Sequence, residues 1–165
     1  MKTVFETARI RFVEVSELLV NDYVNLVNDI EHVGRLIGRT KTVTEEKERE
    51  WVREKLEEKA VLFSMLEKDG GAFIGNIELM DVQNGTGELG IAITWKKQDL
   101  GYGTEAIPAM VEYGFSQCGL TRIFLKVYPD NGRAIHVYEK CGFREYDRTE
   151  EDVYLEIVPP RPDGE

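Results

Sequence analysis

QDLGYGTEA, residues 98–106, sets two glycines one residue apart between a hydrophobic strand pattern and a helical one. Glycine at a helix entrance removes Cβ, leaves several backbone N–H groups open and meets the positive end of the helix dipole. Such a junction is ready to hold a pyrophosphate. A tight turn with no ligand would use the same residues.

Immediately upstream, ELGIAITW (88–95) follows the turn NGTG (84–87). AVLFSMLEK, the Gly70–Gly71 turn and AFIGNIELMDV precede it as a hairpin, so three strands should meander antiparallel. Downstream the pattern is helical from Gly101 to about Gly119, with Ile107, Met110, Val111, Tyr113 and Phe115 apolar and Gly119 at the C-cap. Pro108 falls inside it, which implies a first-turn proline or a kink. TRIFLKVY (121–128) is a strand, RAIHVYEKC a helix closed by Gly142, and FREYDRTEEDVYLEIV two strands about an RTEED turn.

Towards the start, ARIRFVEV (8–15) alternates Ile10 and Phe12 against Arg9, Arg11 and Val13, as a strand does. Ser16 is a good N-cap for a helix whose stripe is Leu18, Leu19, Val24, Leu26, Val27 and Ile30. Residues 32–42 make an irregular connection. Thr44, with Glu45 and Glu46 in the first turn, opens a second helix with a thin apolar face of Trp51, Val52 and Leu56. The expected fold class is α+β, one domain over 1–158, with 159–165 as a loose tail.

The chain has 165 residues, 42% of them hydrophobic and 32% charged, which is ordinary for a soluble globule. No apolar run approaches the roughly 20 residues that span a bilayer, and MKTVFETARI lacks the apolar stretch of a signal peptide. Cys118 and Cys141 have no metal-ligand spacing, so the expectation is a reduced, cytoplasmic protein without a metal. A formal net charge of -10 argues against nucleic acid as partner. It would attract a cation such as an amine, although solubility alone also explains it.

The glycines do not belong to a Walker A loop, because no G-x-x-x-x-G-K-[ST] is present. Gly101, Gly103 and Ala106 do satisfy the G-x-G-x-x-[GA] dinucleotide fingerprint. Against it, WKKQDL separates the strand from the first glycine, no acidic residue ends the next strand, and hairpins replace a parallel start.

A second motif, NGRAIHVYEKCGF (131–143), follows about thirty residues on. With Gln98-x-x-Gly101-x-Gly103, and with the strings ELGIAI, GYGTEA and YGF, it resembles the GNAT superfamily of acetyl-CoA-dependent N-acetyltransferases. The likeness is greatest to the branch of ribosomal-protein N-terminal and spermidine acetyltransferases, and covers roughly residues 86–146. It implies a mixed, mostly antiparallel sheet, flanked by helices and splayed between the strands at 88–95 and 121–128. It also implies acetyl-CoA as co-substrate. The pantetheine arm would pair with backbone around Ile91 and Ile93, and the pyrophosphate would lie on Gln98, Asp99, Leu100, Gly101, Tyr102, Gly103 and Thr104. Asn131 and Arg133 match positions that help hold the cofactor, and Tyr138 matches the tyrosine that contacts the thioester sulfur. From the residues alone, Asn131 is equally a helix cap, and Tyr138 a core aromatic beside Ala134, Ile135 and Cys141.

Acetyl transfer needs a neutral amine, a stabilised carbonyl oxygen and a proton for the departing thiolate. A lysine-type amine has a pKa of about 10.4 and a protein N-terminus about 7.7–8.0, so a base matters more for the former. Backbone N–H near Ile93 can polarise the carbonyl, and Tyr138 can donate to the thiolate. Glu88 shares a strand face with Gly90, Ala92 and Thr94 and is the candidate base or amine-binding carboxylate; a surface strand Glu is the alternative. Glu78 and Asp81 are weaker candidates. Both cysteines pack, and His32 and His136 are isolated and non-catalytic. The branch resemblance points to a protein N-terminal α-amine as acceptor, with a small polyamine as the alternative. A non-catalytic CoA-binding module is the alternative of a different class. The sequence leaves oligomeric state open, a homodimer included.

Overall fold

Alternation and turn chemistry become an eight-stranded sheet in the computed structural model, which describes residues 1–36, 38–39 and 41–161. The elements are β1 (Thr3–Glu6), β2 (Ile10–Glu14), α1 (Val20–Asn28), α2 (Glu45–Glu57), β3 (Val61–Glu67), β4 (Phe73–Gln83) and β5 (Thr86–Ile93). They continue as α3 (Tyr102–Gln117), β6 (Arg122–Val127), α4 (Gly132–Lys140), β7 (Arg144–Arg148) and β8 (Val153–Ile157). The strand order is β1-β2-β3-β4-β5-β6-β8-β7. The β1·β2, β2·β3, β6·β8 and β7·β8 ladders are antiparallel and β5·β6 is parallel, so the α+β fold with a mixed, mostly antiparallel sheet is the one observed.

Contacts divide the chain into two compact units, Met1–Glu78 with Ile91–Gly103 and Leu79–Gly90 with Thr104–Glu165; β4 and β5 contribute residues to both. In the first, Val13, Val15, Leu19, Tyr23, Val52, Leu62 and Leu66 form a buried cluster edged by Trp51, Ala60 and Phe73. Tyr23 carries a polar hydroxyl into that core. It pairs with Ser64 Oγ at 2.6 Å and accepts the Ser16 N–H at 3.1 Å, and Ser64 donates on to Asn76 Oδ1 at 2.8 Å. Each buried polar atom therefore has a partner.

In the second unit, α3 lies close on the sheet. A Cβ at Gly114 would come within 2.9 Å of the tips of both the Ile123 and Leu79 side chains, so glycine lets the helix approach without displacing them. The parallel ladder pairs Thr86 with Arg122, Gly87 with Ile123 and Glu88 with Phe124; Leu89 and Gly90 run on beyond it. β6 continues to pair on its other side, as far as Val127 with Val153 of β8. A parallel ladder that ends after three residues is what the expected splay requires.

Several expectations shift in detail. β1 was not anticipated, and Val13, expected opposite the buried face of β2, is 1% exposed. Ser16 does cap, but it caps a 3-10 turn, Glu17–Leu19, that precedes α1. Leu18 is 80% exposed and Leu56 45%, whereas Tyr23 and Glu48 are buried. The periodicity located each stripe and misjudged its edges. Ile30–Gly34, overlapping the start of 32–42, winds into a single π-helical turn, while residues 37 and 40 lie outside the described residues. Pro108 sits well inside α3. The cap expected at Gly119 is present: its φ is +66, and Leu120 N–H returns to Gly114 O at 3.0 Å. Of the tail, 159–161 have no regular structure and 162–165 lie outside the described residues.

Candidate active site

The loop between β5 and α3 begins with a tight turn. Trp95–Lys97 makes one 3-10 turn, closed by Gln98 N–H on Trp95 O at 3.2 Å. Gln98 then folds its side chain back, and Nε2 donates to Ile93 O at 2.9 Å. Asp99 and Gly101 both adopt the left-handed region, at φ +62 and +84. These reversals lead into the first turn of α3, whose amides have no carbonyl within the helix to bind. The hydrogen-bonded turn at Gln98–Asp99 takes up the Leu100 N–H, whereas the Gly101 N–H donates to no carbonyl in the loop, and Gly103 and Thr104 follow in the first turn of α3.

A bracket of charged side chains holds that shape. Arg9 Nη1 donates to Leu100 O at 2.9 Å, and its guanidinium lies 4.4 Å over the Tyr102 ring. The buried Tyr102 donates its hydroxyl to Glu67, whose other oxygen accepts Lys97 Nζ at 2.8 Å. The Lys97 ammonium first, then the Tyr102 hydroxyl, hold the Glu67 carboxyl below its ordinary pKa. Sequence reasoning missed Arg9, Glu67 and Lys97 as supports, because they converge from three separate stretches.

Ile91 and Ile93 are half-buried at the end of β5. The strand is pressed close to β4 there: a Cβ on Gly75 would meet Ala92 O at 2.0 Å. Thr94 N–H extends the contact to Ile74 O at 2.9 Å.

In the second unit, Asn131 is the N-cap of α4, accepting Ala134 N–H at 3.2 Å, so its side-chain oxygen serves the cap. Arg133 is exposed in the first turn. No residue of α4 is buried, and Ala134, Ile135, Val137 and Tyr138 stay half-open. Tyr138 meets the buried Phe143 edge-on, ring centroids 5.8 Å apart. Burial, with Cys141 adding to it, pushes the Tyr138 hydroxyl up to about 12. A phenol so placed keeps its proton near neutrality and has it to donate.

Pro108 cannot donate a helix hydrogen bond to Thr104 O, and Cys141 Sγ takes that acceptor at 3.9 Å. Both cysteines are free thiols, with their pKa raised by burial. Glu88 is half-buried on β5 and opposite Phe124 in register, with Gly87 and Leu89 buried on the other face. Gly87 packs on Leu120, Val82 and Leu79, which turns Glu88 away from that core.

His32, expected to be isolated, is not. Its Nδ1 lies 3.0 Å from Asp29 Oδ1, and its ring stacks on Trp95 at 3.9 Å between centroids, tilted 21°. The Asp29-x-x-His32 spacing was visible in sequence; Trp95, sixty-odd residues away, was not a foreseeable partner. No helix among the described residues is long and apolar enough to cross a membrane.

With that geometry in place, comparison with known proteins gives the class. The family model described as acetyltransferase (GNAT) domain matches residues 9–144, and the chain belongs to this family. An N-acetyltransferase from Bacillus licheniformis, p20, uncharacterised, is 30% identical over 61% of this chain and 62% of its own length. The spermidine N(1)-acetyltransferase of Vibrio cholerae is 31% identical over 50% of this chain and 49% of its own. The chain thus spans about half to three fifths of the curated relatives it matches. The crystal structure of a V. cholerae spermidine N-acetyltransferase with CoA and spermine superposes at a TM-score of 0.81, with 19% identity over 92% of this chain and 96% of that one. A candidate ribosomal-protein-serine acetyltransferase from the same organism gives 0.78, with 18% identity over 96% and 100%. At those identities the structural likeness defines the fold.

Proposed function

We propose that this chain, as an N-acetyltransferase domain over 1–158, transfers the acetyl group of acetyl-CoA to a primary amine by direct attack on the thioester. One observation carries the reading: the loop at 98–104 passes through left-handed backbone at Asp99 and Gly101 and brings the amides of Gly101 and Gly103 to the N-terminus of α3, in a shape fastened by Arg9 and the Glu67 bracket. These amides suit a diphosphate, which supplies the handle of the co-substrate. Gln98 shapes the cradle through Ile93 O, and Asp99 through its left-handed turn. Thr104 adds a hydroxyl, and Arg133 a charge at the start of α4. Backbone at Ile91 and Ile93 pairs with the pantetheine arm, and an N–H there polarises the carbonyl. Tyr138, held protonated, donates to the leaving sulfur. Glu88 is the carboxylate that holds the positive charge of the amine.

A small polyamine is the favoured acceptor. The net charge of -10 draws cations, and a spermidine acetyltransferase is among the relatives. A protein N-terminus is the second reading, supported by the ribosomal-protein neighbour. Reduced Cys118 and Cys141 suit a cytoplasmic enzyme.

The test is release of free CoA thiol from acetyl-CoA across a panel of polyamines and peptides. Turnover should saturate with a polyamine, and Tyr138→Phe should lower kcat about 10²-fold with CoA affinity kept. Binding of CoA without turnover on any amine would instead mark a non-catalytic module.

A further inference from the structure

A polyamine is almost wholly protonated near neutrality. With a pKa of about 10.4, roughly one molecule in 2,500 carries a neutral amine at pH 7. A group that takes the proton is therefore worth more here than for a protein N-terminus. Glu88 is one acceptor of charge, but a second constellation, in the first unit, is better built for proton transfer.

Asp29 ends α1 and caps the π-helical turn that follows, accepting His32 N–H at 3.2 Å. Its two carboxylate oxygens also stand 3.0 and 3.2 Å from His32 Nδ1. A carboxylate so close draws the Nδ1 proton and leaves Nε2 as the free acceptor lone pair. The ring is fixed on its face by the stack against Trp95. Trp95 follows Ile93 by two residues, in the turn closed by Gln98 on Ile93 O, so the imidazole is tied to the end of β5 where the carbonyl is to be polarised. The site is reachable: the His32 side chain keeps 30% exposure and Trp95 50%. An open indole rim also suits a cation, which favours aromatic faces. The charged groups recorded around the ring are Asp29 and Glu31, the latter 4.0 Å from Nε2 and mostly exposed; both attract an ammonium.

We infer that Asp29, His32 and Trp95 form the amine-receiving corner of the transfer site, with His32 Nε2 as the base that deprotonates the incoming ammonium. The inference rests on the acetyltransferase reading and names its acceptor chemistry. The ammonium gives one proton to Nε2. The freed nitrogen lone pair then forms the C–N bond as the C–S bond breaks. The departing sulfur takes up one proton, the acylated nitrogen gives one up, and the imidazolium returns its proton to solvent. Asp29 is a positioning residue that fixes the tautomer.

Two measurements test it. The chain has only two histidines, so the ring signals of His32 can be followed by NMR while spermidine is added without acetyl-CoA. They should shift saturably, and the shift should weaken in Trp95→Ala. The pH profile of kcat/KM for spermidine is the second. His32→Gln should lose about 10²-fold or more near pH 7, recover as pH approaches the pKa of the amine, and leave CoA affinity unchanged; Asp29→Asn should fall between. Unshifted His32 signals, or a His32→Gln profile parallel to wild type, would overturn the inference while leaving acetyl transfer standing. If no amine turns over at all, the function fails separately and the spermidine titration still decides the site.

Discussion

At the scale of single residues, Gly101 bears most of the argument. Its φ of +84 lies where an L side chain pays about 1–2 kcal/mol. An added Cβ would also stand 3.3 Å from Arg9 Nη2, the cation that fastens Leu100 O. The arginine tip can yield, so the protein should fold with Gly101→Ala, losing about 1 kcal/mol of stability. The relaxed loop would no longer converge its amides, and the Kd for CoA should rise about tenfold or more by calorimetry. Unchanged affinity would mean the glycine serves only the turn. The glycine pair itself was legible in sequence, because left-handed backbone has a residue signature. Gln98 folding onto Ile93, and Arg9 reaching a carbonyl ninety-one residues away, were not, because no local pattern encodes a long-range hydrogen bond.

At the scale of elements, α2 contains a cost the sequence did not suggest. Glu48 is 4% exposed, and burial raises its pKa above the ordinary 4.5, with the Arg39 charge pulling the other way. A raised folded-state value means the native protein holds this proton more tightly than the unfolded chain. Stability is then unaffected below about pH 4 and is lost as pH rises through the folded pKa. Glu48→Gln should accordingly raise the urea midpoint at pH 8 and change it little at pH 4. A lower midpoint at pH 8 would show that Arg39 outweighs desolvation. Caps were the most legible element features: Thr44 accepts from Lys47 N–H, and Asn131 from Ala134 N–H, as their residue types require. Amphipathic faces were less so. Leu18 and Leu56 continue an apolar period yet face solvent, since periodicity fixes a stripe's direction but not the reach of the neighbour that covers it. β1 went unseen because TVFE is short and lacks clean alternation.

At the scale of the whole molecule, the hairpin meander through β3, β4 and β5 followed from turn residues, while the order β6-β8-β7 did not, since the last hairpin inserts its second strand beside β6. The two motifs at 98–106 and 131–143 carried the resemblance to the family because their residues and spacing are distinctive; the amine side offered no such string, and Asp29, His32 and Trp95 emerged only with the fold. The most direct measurement of the central claim is an amide-resolved NMR titration with CoA. The account predicts the largest shifts at Gly101, Gly103 and Thr104, saturating together with those of Tyr138. Saturable CoA binding that leaves those three amides unmoved would contradict it.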